Sequence, residues 1–132
     1  MLGEKGLRKG REKLAMTLRI DAVTLDCSDR DLMTRFWGGL TGRSVRQPPN
    51  HANYTALVDT DGGALILLQQ VDEPRSTSKN RMHIDLGAAD IEAEAKRAVG
   101  LGATYVQRYD EGGNSWIWMT DPEGNEFCIC KE

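Results

Sequence analysis

The most constraining feature of this 132-residue chain is a degenerate internal repeat. Each half contains a strand-like segment followed by an amphipathic helical segment. Asp29 aligns with Asp90 and Leu40 with Leu101, and both pairs give the same shift of 61 positions (90 − 29 and 101 − 40). A repeated unit of this size cannot bury its hydrophobic face alone. The two copies are therefore expected to pack against each other in one domain.

The first copy has the pattern of a βαβββ module. Apolar and polar residues alternate at period two over residues 18–27, which predicts a half-buried strand. Ser28 or Asp29 can cap a helix predicted from about 29 to 41, which Gly42 ends. Turn-rich sequence then separates three short strand candidates, at about residues 43–46, 54–59 and 64–71.

The second copy repeats this order after a polar linker at residues 72–80. Alternation restarts at Arg81, Asp90 can cap a helix with apolar positions Ile91, Ala95, Ala98, Val99 and Leu101, and Gly102 ends it. Three strands are predicted near 103–109, 115–120 and 126–130. The fold class is thus α+β, with two paired βαβββ modules at about 17–71 and 81–131. Together they form one domain, 17–132, preceded by a flexible extension at residues 1–16.

Composition excludes several classes of partner. The net charge of −3 argues against a nucleic-acid footprint, which needs a basic face. No apolar run is long enough to span a bilayer, and the basic residues at the start are not followed by the apolar core of a signal peptide. The three cysteines form no CxxC pair and are interpreted as free thiols in a reducing compartment. We therefore expect a cytoplasmic protein that binds neither nucleic acid nor membranes.

Three motifs accompany the paired βαβββ modules. Phe36-Trp37 lies on the first helix before Leu40-Thr41-Gly42, His83-Ile84-Asp85-Leu86 opens the second module, and residues 121–127 (DPEGNEF) come before the end. Together, these features resemble the vicinal oxygen chelate superfamily, and most closely its glyoxalase-like branch, which also contains bleomycin-resistance proteins. The resemblance implies a cupped mixed sheet with helices on its convex face and a ligand on its concave face, often with a divalent metal. It also implies a homodimer, with modules paired within a chain or exchanged between chains.

The metal ligands of the family can be compared with this sequence position by position. The resemblance puts the four ligand positions at Ala22, Leu67, His83 and Cys128. Ala22 and Leu67 have no donor atom, and a divalent ion needs about three or four protein ligands. We therefore expect no metal and no other cofactor. A displaced site built from His83, Cys128 and a carboxylate such as Glu126 or Asp26 is the alternative.

Period-two alternation predicts which side chains line the concave face. Facing the helices should be Val23, Leu25, Cys27, Met82, Ile84, Leu86, Phe127 and Ile129. Facing the ligand should be Thr24, Arg81, His83, Asp85, Trp116, Trp118, Glu126 and Cys128. Indoles beside a few polar groups are the usual lining of a small-molecule site.

Other interpretations of these residues remain open. His83 can be a structural strand histidine or an acid–base group, and Arg81 with Asp85 can form a surface charge pair. Trp116 and Trp118 can fill a dimer interface instead of a pocket. Cys128 is a minor candidate for a nucleophile if its strand approaches His83.

The sequence leaves more than one class of function. The first is a metal-independent small-molecule binding protein of the glyoxalase/bleomycin-resistance type, with its ligand on the concave face. The second is a lyase or isomerase in which His83 moves a proton and Arg81 steadies an anionic oxygen. A third is a vestigial pocket in a domain that works through dimer contacts.

Overall fold

The computed structural model of the chain describes residues 20–48, 52–75 and 80–132. Within these ranges, helices and strands follow the order βαβββ twice, as the repeat predicted. Their bounds are β1 Ala22–Cys27, α1 Arg30–Thr41, β2 Ser44–Arg46, β3 Tyr54–Val58, β4 Leu65–Gln70, β5 Ile84–Ala88, α2 Ile91–Leu101, β6 Thr104–Glu111, β7 Asn114–Thr120 and β8 Glu126–Lys131.

Each module builds a four-stranded mixed sheet with the same topology. The strand order is β1-β4-β3-β2 in the first sheet and β5-β8-β7-β6 in the second. In each sheet the first strand pairs in parallel with the last, and the other pairings are antiparallel. The α+β class and the paired modules are thereby confirmed.

The ends of both helices follow from local capping chemistry. Asp29 Oδ1 accepts a hydrogen bond from Leu32 N at 3.1 Å, and Asp90 Oδ1 accepts one from Ala93 N at 3.0 Å. Gly42 and Gly102 end the helices in the left-handed region, with φ of 70° and 118°. The predicted helix boundaries are therefore correct to within about one residue.

An aromatic cluster joins the two modules. Phe36 and Trp37 of α1 lie 6.0 and 5.2 Å, between ring centroids, from Phe127 of β8. All three side chains are fully buried in one continuous core. The modules therefore share their hydrophobic interior instead of each enclosing one.

The loop at residues 121–125 also connects the modules. Trp37 Nε1 donates to Asp121 Oδ2 at 3.1 Å in a buried hydrogen bond. The Glu123 carboxylate accepts from Ser28 N at 2.9 Å and Asp29 N at 2.7 Å, at the N-terminus of α1. The sequence identified this segment as a turn, and the structure shows that it also binds the first helix.

The predicted start of β5 was wrong. The strand begins at Ile84 instead of Arg81, because its ladder with β8 begins where Ile84 pairs with Phe127. Met82 consequently lies outside the sheet and is 83% exposed, whereas it was expected in the core. Val23, expected to face the helices, is on the edge strand β1 and 38% exposed.

The helical core positions were predicted only in part. Ile91, Ala95 and Ala98 of α2 are buried, but Val99 and Leu101 are 46% and 37% exposed. Helical spacing does not fix how far around a helix the sheet reaches.

Residues 1–16, predicted as an extension, lie outside the described residues. No helix in the described part of the chain is long and apolar enough to cross a membrane.

Candidate functional site

The side of the second sheet that faces away from α2, here called the open face, carries a row of reactive and aromatic side chains. Ile117, Met119, Phe127 and Ile129 point into the core and are fully buried. Since side chains alternate along a strand, their neighbours on β7 and β8 point to the open face. Trp118 pairs with Cys128, and Cys128 with Asp85, so these three residues form a row across three strands.

A polar cluster lies at the β5 end of this row. His83 Nε2 is 3.2 Å from Asp85 Oδ1. One nitrogen of His83, one carboxylate oxygen of Asp85 and the Sγ of Cys128 all lie within 4.8 Å of one another. The His83 and Asp85 side chains are 41% and 64% exposed. The sheet thus brings a base, a carboxylate and a thiol together at an accessible position.

An aromatic pair extends the open face on the side of β6. The ring of Tyr109 stacks on Trp116, with centroids 5.3 Å apart and an angle of 15° between the planes. Sequence reasoning missed Tyr109. A bulge between Tyr105 and Gln107 shifts by one residue which side chains of β6 face the core and which face the open face. No residue in this strand signals that bulge, so the sequence alone could not assign Tyr109 to the open face.

A cleft of about 610 Å³ between the modules contains further predicted residues. β1 contributes Thr24 and Asp26, and the start of the second module contributes Arg81 and His83. The predicted site residues Thr24, Arg81 and His83 are therefore brought together across the module boundary. His83 belongs both to this cleft and to the polar cluster, and so connects them.

A larger cleft of about 770 Å³ lies at another part of the module boundary. It includes Asp85, but its two arginines already have partners. Arg97 donates to the carbonyls of Gly39 and Leu40, and Arg43 Nη1 donates to Ala64 O at 2.7 Å. Arg97 thereby satisfies carbonyls at the C-terminus of α1, and Arg43 holds the segment that leads into β4. We therefore centre the candidate site on the smaller cleft and the adjoining open face.

Glu126, which was predicted to bind the ligand, accepts a hydrogen bond from the protein backbone. It is buried, and its Oε1 accepts a hydrogen bond from Asn80 N at 3.1 Å. This contact anchors the chain where it enters the second module. Glu126 lies at the base of the open face, next to the row of Trp118 and Cys128.

The residues at the four metal positions of the family do not form a donor set. Thr24 pairs with Leu67 on the first sheet, at the place where Asp85 pairs with Cys128 on the second. Ala22 and Leu67 contribute only hydrocarbon, so the first module supplies no ligand at these positions. The carboxylate close to His83 and Cys128 is Asp85, whereas the sequence suggested Glu126 or Asp26.

Comparison with known proteins identifies the family. A family model described as a glyoxalase-like domain matches residues 22–130. The chain belongs to this family. The resemblance inferred from the three sequence motifs is thereby confirmed. No curated protein matches this glyoxalase-like chain.

Solved structures share the fold at low sequence identity. A glyoxalase/bleomycin resistance protein/dioxygenase family enzyme from Burkholderia phytofirmans is 17% identical, with a TM-score of 0.73 over 86% of this chain and 98% of its own. The fosfomycin resistance protein FosX from Mesorhizobium loti is 16% identical, with a TM-score of 0.68 over 89% and 94%. Lactoylglutathione lyase from Agrobacterium tumefaciens is 16% identical, with a TM-score of 0.62 over 88% and 94%. Identities this low establish the fold alone.

Proposed function

We propose that this glyoxalase-like protein binds a planar organic small molecule on its open face, which is the predicted concave face. The observation that carries the proposal is the row of Trp118, Cys128 and Asp85, next to the stacked pair of Tyr109 and Trp116. Aromatic rings offer flat apolar contact area, and a few polar groups at the edge orient a ligand. The open face has both.

We further propose that this binding is independent of metal. Ala22 and Leu67 have no donor atom, and this removes half of the ligand set of the family. Stacking on indole rings needs no ion.

We also propose that the protein is a cytoplasmic homodimer without a nucleic-acid partner. Native mass spectrometry tests whether it is a dimer.

The second candidate function is that of a lyase or isomerase. The contact of 3.2 Å between His83 and Asp85 favours it, since a carboxylate that orients an imidazole is a common arrangement in acid–base catalysis. Arg81 lines the same cleft as His83 and can hold an anionic oxygen of a substrate. One structural neighbour is named lactoylglutathione lyase, so a similar fold carries a lyase.

Native mass spectrometry of the protein purified from its own source tests the proposal. We expect a mass that includes an organic ligand and no stoichiometric metal. Once the ligand is identified, titration calorimetry with EDTA present should give the same affinity as without it. Trp118→Ala should weaken binding by about tenfold, whereas Val45→Ala, at an exposed position on β2, should leave it unchanged.

The same titration separates the two candidate functions. In a binding protein, His83→Ala changes affinity by about threefold or less, because stacking dominates the contact. In an enzyme, His83→Ala abolishes turnover of the identified ligand. An affinity that disappears with EDTA, or one unchanged by Trp118→Ala, contradicts the proposed function.

A further inference from the structure

The polar cluster on the open face has the components of an activated cysteine. Cys128 supplies a thiol, His83 supplies a base, and Asp85 contacts that base at 3.2 Å. A thiol beside an imidazole that is oriented by a third group is the recurring arrangement of cysteine nucleophiles. The strand register places Asp85 beside Cys128 in the parallel ladder, and His83 lies one residue before β5.

We propose that Cys128 is a nucleophile that captures a soft electrophile of the α,β-unsaturated carbonyl class. The inference rests on the proposed function for the position of the ligand. The Sγ proton passes to the imidazole of His83, and the sulfur attacks the β-carbon of the ligand. A C–S bond forms while the C=C π pair moves onto the carbonyl as an enolate. The imidazolium then returns the proton to the α-carbon. The product is a thioether, and no other reactant is consumed.

The other two cysteines lack this environment. Burial, followed by the charges of Glu123, Asp121 and Asp26, raises the pKa of the Cys27 thiol to about 12. Burial and the charge of Asp85 raise the pKa of the Cys130 thiol above its usual value. Thiolates, not thiols, attack electrophiles. Cys27 and Cys130 are therefore internal comparisons for the reactivity of Cys128.

The charged groups around Cys128 act in opposite directions. Asp85 on β5 and His83, just before that strand, lie close to it, and Glu126 lies two residues earlier on its own strand. Its β7 neighbours on this face are Trp116, Trp118 and Thr120, which carry no charge. Protonated His83 favours the thiolate, whereas the two carboxylates disfavour it. Asp85 is close enough to His83 to hold the imidazolium that forms if the imidazole, which lies within 4.8 Å of the sulfur, takes the thiol proton.

The neighbour of Cys128 on β7 supports the class of electrophile. Trp118 pairs with Cys128, so its indole lies beside the sulfur. A flat conjugated carbonyl compound can stack on that indole and present its β-carbon to the thiol. Cys128 is partly exposed on this face. A ligand on the open face can therefore reach it.

Acrylamide, a small α,β-unsaturated amide, is the probe for the test. The full chain is treated at pH 7 in parallel reactions with and without EDTA, and adducts are assigned by mass spectrometry of peptides. We expect the first adduct on Cys128, forming at least about tenfold faster than on Cys130, and none on Cys27. Cys128→Ser should remove this first adduct, whereas Cys130→Ser should leave its rate unchanged.

The role of His83 needs its own variants. His83→Ala should slow the modification of Cys128 by about tenfold or more, and free imidazole in the buffer should restore part of the rate. His51→Ala, at the other histidine of the chain, should have no effect. Circular dichroism verifies that each variant is folded. Rescue by imidazole distinguishes a base from a residue that only supports the sheet.

Three outcomes overturn the inference. The first is equal modification rates at Cys128 and Cys130, and the second is a Cys128 rate that His83→Ala leaves unchanged. The third is a thiol that reacts only after EDTA releases a stoichiometric metal, because the cluster is then a metal site. If the thiol is inert while ligand binding still depends on Trp118, the proposed function stands and this inference fails alone.

Discussion

At the scale of single residues, Asp121 connects a local turn with the tertiary structure. Its carboxylate accepts hydrogen bonds from Glu123 N at 2.9 Å, Asn125 N at 2.8 Å and Trp37 Nε1 at 3.1 Å. These bonds lower the pKa of the carboxyl, but burial raises it by more, so its net direction is upward. The hydrogen-bond donors around Asp121 therefore offset the free-energy cost of removing its carboxylate from water.

Asp121→Ala should destabilise the protein by about 2–4 kcal/mol, because it leaves the buried indole N–H of Trp37 and the partly buried backbone N–H groups of Glu123 and Asn125 without this acceptor. Urea unfolding followed by circular dichroism measures the loss. Asp110→Ala is the matched control, since that carboxylate is exposed and binds only exposed partners. Similar losses for both variants would contradict a special role for Asp121.

At the scale of elements, the end of α2 shows how one glycine fits both its helix and a neighbouring loop. Gly102 has φ of 118° and donates its N–H to the carbonyls of Ala98 and Val99. A Cβ at this position would lie 3.3 Å from Pro122 Cγ. Gly100, within the same helix, would meet no atom within 4 Å. The two glycines are close in sequence, but their backbone requirements are opposite.

Alanine substitutions at these two positions should change stability in opposite directions. Gly102→Ala should cost about 1–3 kcal/mol, because an L side chain is strained at that positive φ and crowds Pro122. Gly100→Ala should stabilise the protein by about 0.5–1 kcal/mol, through higher helix propensity at an open position. Urea unfolding of both variants tests this pair. Effects of the same sign would show that the left-handed conformation is not what Gly102 provides.

At the scale of the whole molecule, the shared core predicts cooperative unfolding. Phe127 of the second module contacts Phe36 and Trp37 of the first, and the 121–125 loop binds the start of α1. Neither module can expose this interface without losing core contacts. The repeat in the sequence therefore produces one folding unit with two halves.

Phe127→Ala should cost about 3–5 kcal/mol, the range for truncating a buried aromatic ring. The Phe127→Ala variant should still unfold in a single urea transition. With Trp116 and Trp118 replaced by Phe in both proteins, the fluorescence of Trp37 on α1 and far-ultraviolet circular dichroism should give the same urea midpoint. Val45→Ala, at an exposed site, should change stability by less than about 0.5 kcal/mol. Two separate midpoints in the Phe127 variant would mean that the modules unfold independently.

The sequence by itself determined the elements that depend on local chemistry. Helix caps at Asp29 and Asp90 and stops at Gly42 and Gly102 act within a few residues, so both helices were located closely. The shift of 61 positions gave the two modules, and alternation on β7 and β8 gave the faces of Trp116, Trp118 and Cys128. Each of these signals is periodic or local, and so can be read without a partner segment.

The tertiary structure alone decided the features that need two distant segments at once. The ladder with β8 fixed where β5 begins and left Met82 exposed, and a bulge in β6 turned Tyr109 to the open face. Which carboxylate lies near His83 and Cys128 also depended on strand register, and it is Asp85. Register and bulges are set by the pairing strand, whose contribution does not appear in the sequence of either strand taken alone.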